Sequence, residues 1–232
     1  MKKAIAVVVL LAVAAAGALY WLHGNLDGLV KDAIERYGSA MTGATVRVAA
    51  VEISPTDGRG VIRGLFVGNP PGFKTPYAVK VNQIDVAIDL STVAGSVVTI
   101  DHVIVASPDV IYEKGDAGTN FDALQKNVAA YVGPSKNEGG KKLILSEFAM
   151  RGAQAQASAA FMGGKTVTVS LPDLVLHDLG KSKGGETPGE LGQEIVAAMK
   201  QRLSASISFD RLAKSVSQGL ESAGQALKGL FK

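Results

Sequence analysis

The sequence predicts an α+β protein: an N-terminal transmembrane helix, then a mainly antiparallel β-sheet with flanking amphipathic helices. Three observations predict this architecture. An uncharged apolar run lies near the N-terminus. From residue 44 onward apolar and polar residues alternate, which is typical of strands with one buried face. On both sides of that region apolar residues recur at spacings of three and four, which is typical of amphipathic helices.

The N-terminal apolar run has the length of a membrane span. Residues 4–22 number 19 and carry no charge, and a helix of about 20 residues crosses a ~30 Å hydrocarbon core. Lys2 and Lys3 precede the run, and Tyr20 and Trp21 lie at its far end. Basic residues favour the cytoplasmic side, whereas Tyr and Trp favour the bilayer–water interface. We therefore expect a single-pass anchor with a cytoplasmic N-terminus and the rest of the chain outside the cytoplasm.

A cleavable signal peptide is the alternative interpretation of this run. Residues 16–18 read Ala-Gly-Ala, the small-x-small pattern of a cleavage site. The apolar stretch continues through residues 20–22, which is unusual directly after such a site. Both interpretations export the remainder of the chain, whereas a buried helix of a cytosolic protein would not.

The periodicity divides the chain into four regions. We expect a membrane anchor at 1–23, a connecting helix at 24–43, a β-sheet domain at 44–186 with a short helix near 120–132, and C-terminal amphipathic helices at 187–232. The connecting helix begins an apolar stripe at Leu26, and Asn120 is a good N-cap for the short helix.

The C-terminal region carries clear helix signals. Thr187 to Glu190 reads as a capping box with proline at the first helical position. A last helix is expected from about Phe209 to Phe231, with more basic than acidic residues from Met199 onward. A basic amphipathic helix can cover the apolar face of a sheet, lie on an anionic membrane or bind a partner. All three roles stay open at this point.

One pattern occurs twice along the β region. Residues 98–132 and 167–203 each read strand, Pro-Asp, strand, loop and helix, with the prolines at Pro108 and Pro172. Proline is tolerated in a sheet only at an edge, a bulge or a strand end. We expect two related units whose Pro-Asp kinks extend one sheet; two coincidental Pro-Asp turns are the alternative.

The composition excludes several kinds of site. The chain has no cysteine, which excludes disulfides, thiolate metal sites and cysteine nucleophiles. His23, His102 and His177 are too far apart in sequence to form a spaced metal motif. The formal charge of +3 includes the two N-terminal lysines, so the remainder is near neutral, unlike a nucleic-acid binder. We expect no catalytic residues, metal or cofactor, and therefore no enzyme.

A family resemblance lies in residues 97–124, which read VVTIDHVIVASPDVIYEKGDAGTNFDAL. This stretch resembles the N-terminal β-module of the AsmA-like proteins of bacterial envelopes. In that family a strand leads to a proline kink, a second strand with an aromatic residue, a glycine-containing turn and an asparagine that opens a short helix. Here these features are Pro108, Tyr112, a turn with Gly115 and Gly118, and Asn120.

The resemblance implies a protein of the Gram-negative inner membrane, single-pass, with a periplasmic β-structure curled into a groove. Large relatives are thought to pass phospholipid along that groove or to assist outer-membrane assembly. Their bridges are several times longer than this chain of 232 residues, so any shared function here must be local. The resemblance brings no catalytic residues with it.

Two functional hypotheses follow. The first is a lipid-binding or lipid-transfer-related protein that supports envelope homeostasis, with membrane lipid as its partner. The second is a structural or scaffold subunit that binds another envelope protein through a sheet edge or the terminal helix. An unfilled apolar groove would favour the first, and a groove filled by residues 209–231 the second; neither defines the oligomeric state. The expected groove lining is Val86, Ile88, Val98, Ile100, Val167 and Val169.

Overall fold

The computed structural model describes residues 26–132, 141–163 and 166–218. It confirms an α+β fold with one large, open, curved sheet and a few helices. The sheet is mixed, because two of its strand pairs are parallel. The predicted membrane anchor at 1–23 lies outside the described residues. Among the helices within those ranges, none is long and apolar enough to cross a membrane.

The elements follow the chain in a simple order. The helices are α1 (Leu26–Thr42), α2 (Asn120–Val132) and α3 (Pro188–Ser206), and residues 209–218 are also helical. The strands are β1 (Val46–Arg47), β2 (Ala50–Ser54), β3 (Arg59–Val67), β4 (Val79–Ile88), β5 (Val97–Ala106), β6 (Asp109–Gly115), β7 (Gly118–Thr119), β8 (Lys142–Arg151), β9 (Gln154–Ala159), β10 (Val167–Ser170) and β11 (Leu174–Leu179).

The sheet branches at β4. One edge of β4 pairs with β3, which carries β1 and β2 on its other side. The other edge of β4 pairs with both β5 and β6, which follow one another in the chain. β8 and β9 run parallel to β5 and β6, and β11 and β10 close the row antiparallel to them. The sheet therefore ends at β1–β2 on one side and at β10–β11 on the other.

Neighbouring strands bend at one common level. Ser107 and Pro108 separate β5 from β6, Gly152 separates β8 from β9, and Pro172 separates β10 from β11. Ser107 and Gly152 have positive φ angles of 46° and 64°, so the direction of both strands changes there. Both predicted Pro-Asp kinks lie in this bend. Their two units run in opposite directions on either side of β8–β9.

The bend continues to the far side of the sheet through a close approach of two backbones. Gly64 in β3 has a φ of 62°, and a Cβ atom placed there would lie 2.7 Å from the Cβ of Ala49. Ala49 separates β1 from β2. Only glycine combines the positive φ with this contact, so Gly64 permits the bend on the β1–β2 side.

A bulge in β5 keeps two groups of apolar residues on one face. Val86 pairs with Val103 and Ile88 pairs with Ile100, so β5 has one residue more than β4 over this stretch. Asp101 is the residue without a partner. An extra residue shifts the alternation by one position, and Ile100 and Val103 therefore both reach the hydrophobic core.

The core lies between the inner face of the sheet, defined as the face that the helices cover, and the helices themselves. Val30 and Ile34 of α1, Phe121 of α2, and Leu191 and Leu203 of α3 belong to one continuous buried cluster with the strand residues. α1 packs against β1 and β2 and against α2, and α2 packs against α3. Burial of these apolar stripes, rather than helix propensity, stabilises helices of this length.

Candidate functional site

Four of the expected groove residues lie in the core. Val86, Ile88, Val98 and Ile100 are exposed by 4%, 7%, 0% and 0%, and Ile88 and Ile100 are direct cross-strand partners. The structure thus brings these four together on β4 and β5. Val167 and Val169 lie apart from them, on the edge strand β10 beyond the bend.

The surroundings of Val86 and Ile88 leave little space. The cavity that they line together with Ile53 and Gly58 has a volume of about 10 Å³. Sites for small organic ligands typically enclose about 300–1,000 Å³. An open depression of about 250 Å³ lies beside it, lined by residues that include Glu52 and Arg59. Neither hollow has the enclosed apolar volume that an acyl chain needs.

Beyond the bend, helical residues cover the inner face. Ala155 and Ala157 of β9 are fully buried, and Ala157 pairs with Tyr112 of β6. The ring of Tyr112 lies 5.2 Å from the ring of Phe209, centroid to centroid. Leu212 also packs against the core. Because alanine side chains are small, the inner face forms a shallow trough at Ala155 and Ala157, and Phe209 lies next to it through its contact with Tyr112. Residues 219–231 lie outside the described ranges.

The β1–β2 edge is closed by side chains of α1. The Ile53 amide donates to the Asp27 carboxylate at 3.0 Å, and the Val48 amide donates to the Glu35 carboxylate at 2.8 Å. The Val46 amide donates to the Ser39 hydroxyl at 2.9 Å. The resulting edge resembles one paired with a further strand, because backbone donors that would otherwise face solvent have acceptors.

Glu35 is held in its ionised form at this edge. Lys31 donates a hydrogen bond to its carboxylate at 2.7 Å and another to the carbonyl oxygen of Val48. The hydrogen bond from Lys31 and that from the Val48 amide lower the pKa of Glu35 below its ordinary value. The helix therefore contributes both an acceptor and a donor to Val48, which lies between β1 and β2.

The β10–β11 edge is open. Among the described strands, β10 pairs only with β9 and β11 only with β8, so each has a second edge that no described strand occupies. Among the described residues, two hydrogen bonds between β10 and β11 run inward: the Leu171 amide donates to the Ala153 carbonyl at 2.9 Å, and the Asp173 carboxylate accepts from the Gly152 amide at 3.0 Å. Val167 and Val175, one on each strand, are exposed by 39% and 40%. An edge of this kind is a template for a further strand.

Two further apolar side chains are exposed outside these strands. Phe161, in the turn that joins β9 to β10, is 41% exposed, and Val216 on the last helix is 37% exposed. Arg211 and Lys214 of the same helix are exposed as well. Phe161 thus extends the exposed apolar surface of the β10–β11 edge next to the start of β10.

The residues behind the family resemblance form a buried polar network. Asn120 is completely buried; its side-chain oxygen accepts from the Glu113 amide at 3.0 Å, and its nitrogen donates to Asn69 at 2.8 Å. The Glu113 carboxylate accepts from the amide and the hydroxyl of Thr75 at 2.8 and 2.6 Å. Every member has a partner, so the network anchors the loop after β3 rather than holding a ligand.

The cap of α2 differs from the sequence expectation, which gave that role to Asn120. The Asp122 amide donates to the Thr119 hydroxyl at 3.2 Å, and the Thr119 amide donates to the Asp122 carboxylate at 2.8 Å. Thr119 and Asp122 therefore cap the helix reciprocally, and the amide of Asn120 is committed to the network. The predicted capping box of Thr187 and Glu190 is confirmed.

Asp122 also joins two helices. Its carboxylate lies 2.7 Å from the Lys200 ammonium of α3. Burial alone would raise the pKa of Asp122, but hydrogen bonds from Lys200 and Thr119 outweigh burial and lower it. This ion pair fixes α2 against α3 above the inner face.

The remaining ionisable groups that the structure describes form small, separate sets. Glu186 is 2% exposed and paired with Lys183, and burial raises its pKa. His102 and His177 flank Glu147 in the sheet register. Across the part of the chain that the structure covers, no three such side chains are placed to hold a metal ion.

Comparison of the chain with protein-family models, with curated proteins and with solved structures gives no match. The resemblance to AsmA-like proteins therefore stays an expectation carried by the residues of 97–124.

Proposed function

We propose that this chain is a membrane-anchored, non-enzymatic scaffold subunit of a Gram-negative envelope, which binds another envelope protein. The observation that carries the proposal is the contrast between a filled interior and an open edge. The inner face is covered by α1, α2, α3 and the start of the last helix. The β10–β11 edge carries exposed valines and is not occupied by any strand of the described ranges. Binding to this molecule is therefore easier at its edge than in its interior.

The proposed anchor gives the molecule an orientation. Residues 1–23 would hold the chain in the inner membrane, with Lys2 and Lys3 on the cytoplasmic side and Tyr20 and Trp21 at the outer interface. α1 follows at Leu26, and its first turn lies beside the β2–β3 turn through the contact of Asp27 with Ile53. That end of the sheet would face the membrane, and the domain would be periplasmic.

The exposed apolar end would then point away from the anchor. β8 starts at the membrane-facing end and β9 ends at the turn that contains Phe161. These 18 residues, 142–159, span at most about 60 Å at ~3.3 Å per residue, and the bend shortens this distance. A partner bound near Phe161 would sit on the order of 50 Å from the membrane, within reach of proteins that project into the periplasm.

Site-specific photocrosslinking in intact cells tests the scaffold proposal. A photoreactive residue at Val175 should give a discrete adduct with another envelope protein, because Val175 lies on the open edge. The same residue at Thr56, on the β2–β3 turn, should not give that adduct. Equal adducts at both positions, or none at either, would contradict the proposal.

A lipid-handling function is the second candidate, and the trough over β9 favours it. Ala155 and Ala157 make the inner face shallow where Phe209 and Leu212 cover it. A displaced last helix would uncover an apolar surface that an acyl chain fits. Val167 and Val169 flank this trough, whereas the other four expected lining residues do not.

Native mass spectrometry with lipid extraction distinguishes the two candidates. Lipid handling predicts phospholipid retained in stoichiometric amount by protein purified in mild detergent, and its loss in Val167→Asp. Val167 is partly exposed, so this variant should stay folded, unlike an Asp at buried Ile88 or Val98. A folded, lipid-free protein would exclude lipid handling by the isolated chain.

A further inference from the structure

We propose that the β10–β11 edge binds an extended segment of a different protein chain as an additional strand of the sheet. This inference rests on the scaffold function proposed above and specifies how its partner is recognised. Backbone hydrogen bonds would supply affinity, and side chains on alternate positions would supply specificity, as in other cases of strand addition.

The backbone of the edge is the first argument. β10 and β11 run in line, joined by the short kink at Pro172, and together present residues 167–179 along one side of the sheet. The opposite side of the same sheet has three of its amides bound by α1. The molecule therefore closes one edge with a dedicated helix and leaves the other available.

The exposed side chains on this edge define the partner's chemistry. Val167 and Val175 each leave about two fifths of their surface in solvent. The two valines lie on opposite faces of the sheet, because Val167 pairs with core-facing Ala157 whereas Val175 alternates with core-facing Leu174 and Leu176. A strand that bends with the edge, as β8–β9 does, would place alternate residues beside both valines. The partner segment is accordingly extended, and its apolar residues lie at every second position.

Charge argues against a second copy of this chain as the occupant. Antiparallel pairing of two copies over residues 167–179 has its centre at residue 173. Asp173 would lie opposite Asp173 of the other copy, and Pro172, which lacks an amide proton, would lie in the middle of the contact. Like charges directly opposite each other destabilise a strand pair. The occupant is therefore a different chain, with a basic residue opposite Asp173.

Two synthetic peptides provide a defined probe. The first alternates valine and threonine over ten residues with one central lysine; the second has the same sequence with N-methyl groups on alternate residues, which remove the amide donors of one edge. Each is added to the full-length chain in mild detergent, and amide hydrogen exchange is followed. We expect the first peptide to slow exchange in residues 167–179 at least tenfold and the second to bind at least tenfold more weakly.

Matched variants localise the effect. Val175→Lys places a charge on the open edge and should weaken binding of the first peptide at least tenfold. Leu29→Lys makes the same kind of change on α1, where Leu29 is 48% exposed, and should leave binding unchanged. A peptide with a central aspartate in place of lysine should bind more weakly, because it would face Asp173.

The outcomes separate this inference from the function on which it rests. Protection confined to residues 167–179 and abolished by N-methylation supports strand addition. No protection by either peptide at millimolar concentration, or protection elsewhere, overturns it, and so does a stable dimer of the chain with the same edge protected. A Val175 adduct in cells without peptide protection would keep the scaffold function and reject strand addition. If neither the Val175 adduct nor peptide protection is observed, the scaffold function is rejected as well.

Discussion

At the β1–β2 edge, α1 supplies hydrogen-bond partners for strand amides, whereas at the β10–β11 edge no described residue supplies one. Both edges end the same sheet and both lie beside the bend. The difference comes from one helix: Asp27, Lys31, Glu35 and Ser39 occupy every fourth position of α1 and form a polar stripe that meets the edge. An edge strand is thus protected by the helix that packs beside it rather than by its own residues.

The largest expected difference concerns the two glycines of the bend. Gly64→Ala, on the closed side, combines a positive φ with an overlap against Ala49 and should cost about 3 kcal/mol of unfolding free energy. Gly152→Ala, towards the open side, has a similar positive φ, but its Cβ would lie 3.2 Å from the Ser107 hydroxyl oxygen, a less severe contact. This variant should cost about 1–2 kcal/mol of unfolding free energy. Urea unfolding of both variants measures the difference. Equal losses would mean that the bend is not tighter beside the closed edge.

Removal of the Glu35 carboxylate should open the closed edge. Glu35→Ala leaves the Val48 amide without its acceptor and Lys31 without its ion-pair partner, and should cost about 1–3 kcal/mol. Asp32→Ala is the control, because Asp32 is exposed on the same helix, and surface changes of this type stay within about 0.5 kcal/mol. Amide exchange at Val48 should become faster in the first variant only. An unchanged exchange rate would show that the edge is closed by other means.

Acid should weaken the closed edge through the same residue. The folded protein lowers the pKa of Glu35 below its ordinary value of 4.5, so ionised Glu35 stabilises the fold above that pH. This contribution is lost as the pH falls through the lowered value, when the carboxylate takes up a proton in the folded state. The stability difference between the native protein and Glu35→Gln should therefore shrink as the pH falls below 4.5. A difference that is constant from pH 7 to pH 3 would show that the charge has no role there.

Local sequence patterns predict part of this fold for identifiable reasons. Alternation of apolar and polar residues in the β region indicates that one face of each strand is buried. The capping box of Thr187 and Glu190 predicts a helix start. Both signals are encoded within a few residues. The parallel pairing of β5 with β8 joins residues such as Val98 and Leu143, and no local pattern specifies which distant strand is the neighbour. The mixed character of the sheet therefore could not be derived from the sequence.

The candidate site shows the same limit. Periodicity places Val98 and Ile100 on an apolar face, but it does not report what covers that face, and a groove lining and a core have the same pattern. The polar stripe of α1 from Asp27 to Ser39 is visible in the sequence at four-residue spacing. Its role in closing the sheet edge can be recognised only when β1 and β2 are seen beside it, because a solvent-exposed helix face has the same composition.

The smallest expected effect is at the open edge itself. Val175→Lys removes no backbone hydrogen bond, and the aliphatic part of lysine covers the surface that the partly exposed valine covers, so the unfolding free energy should change by less than about 0.5 kcal/mol. Amide exchange in residues 174–179 should also stay as it is in the native protein, whereas Glu35→Ala changes both quantities at the closed edge. A loss above about 1 kcal/mol would show that Val175 packs against part of the chain, since only a buried contact costs that much. A near-zero change in unfolding free energy would instead show that Val175 does not stabilise the folded chain, which is expected of a residue on a partner-binding surface.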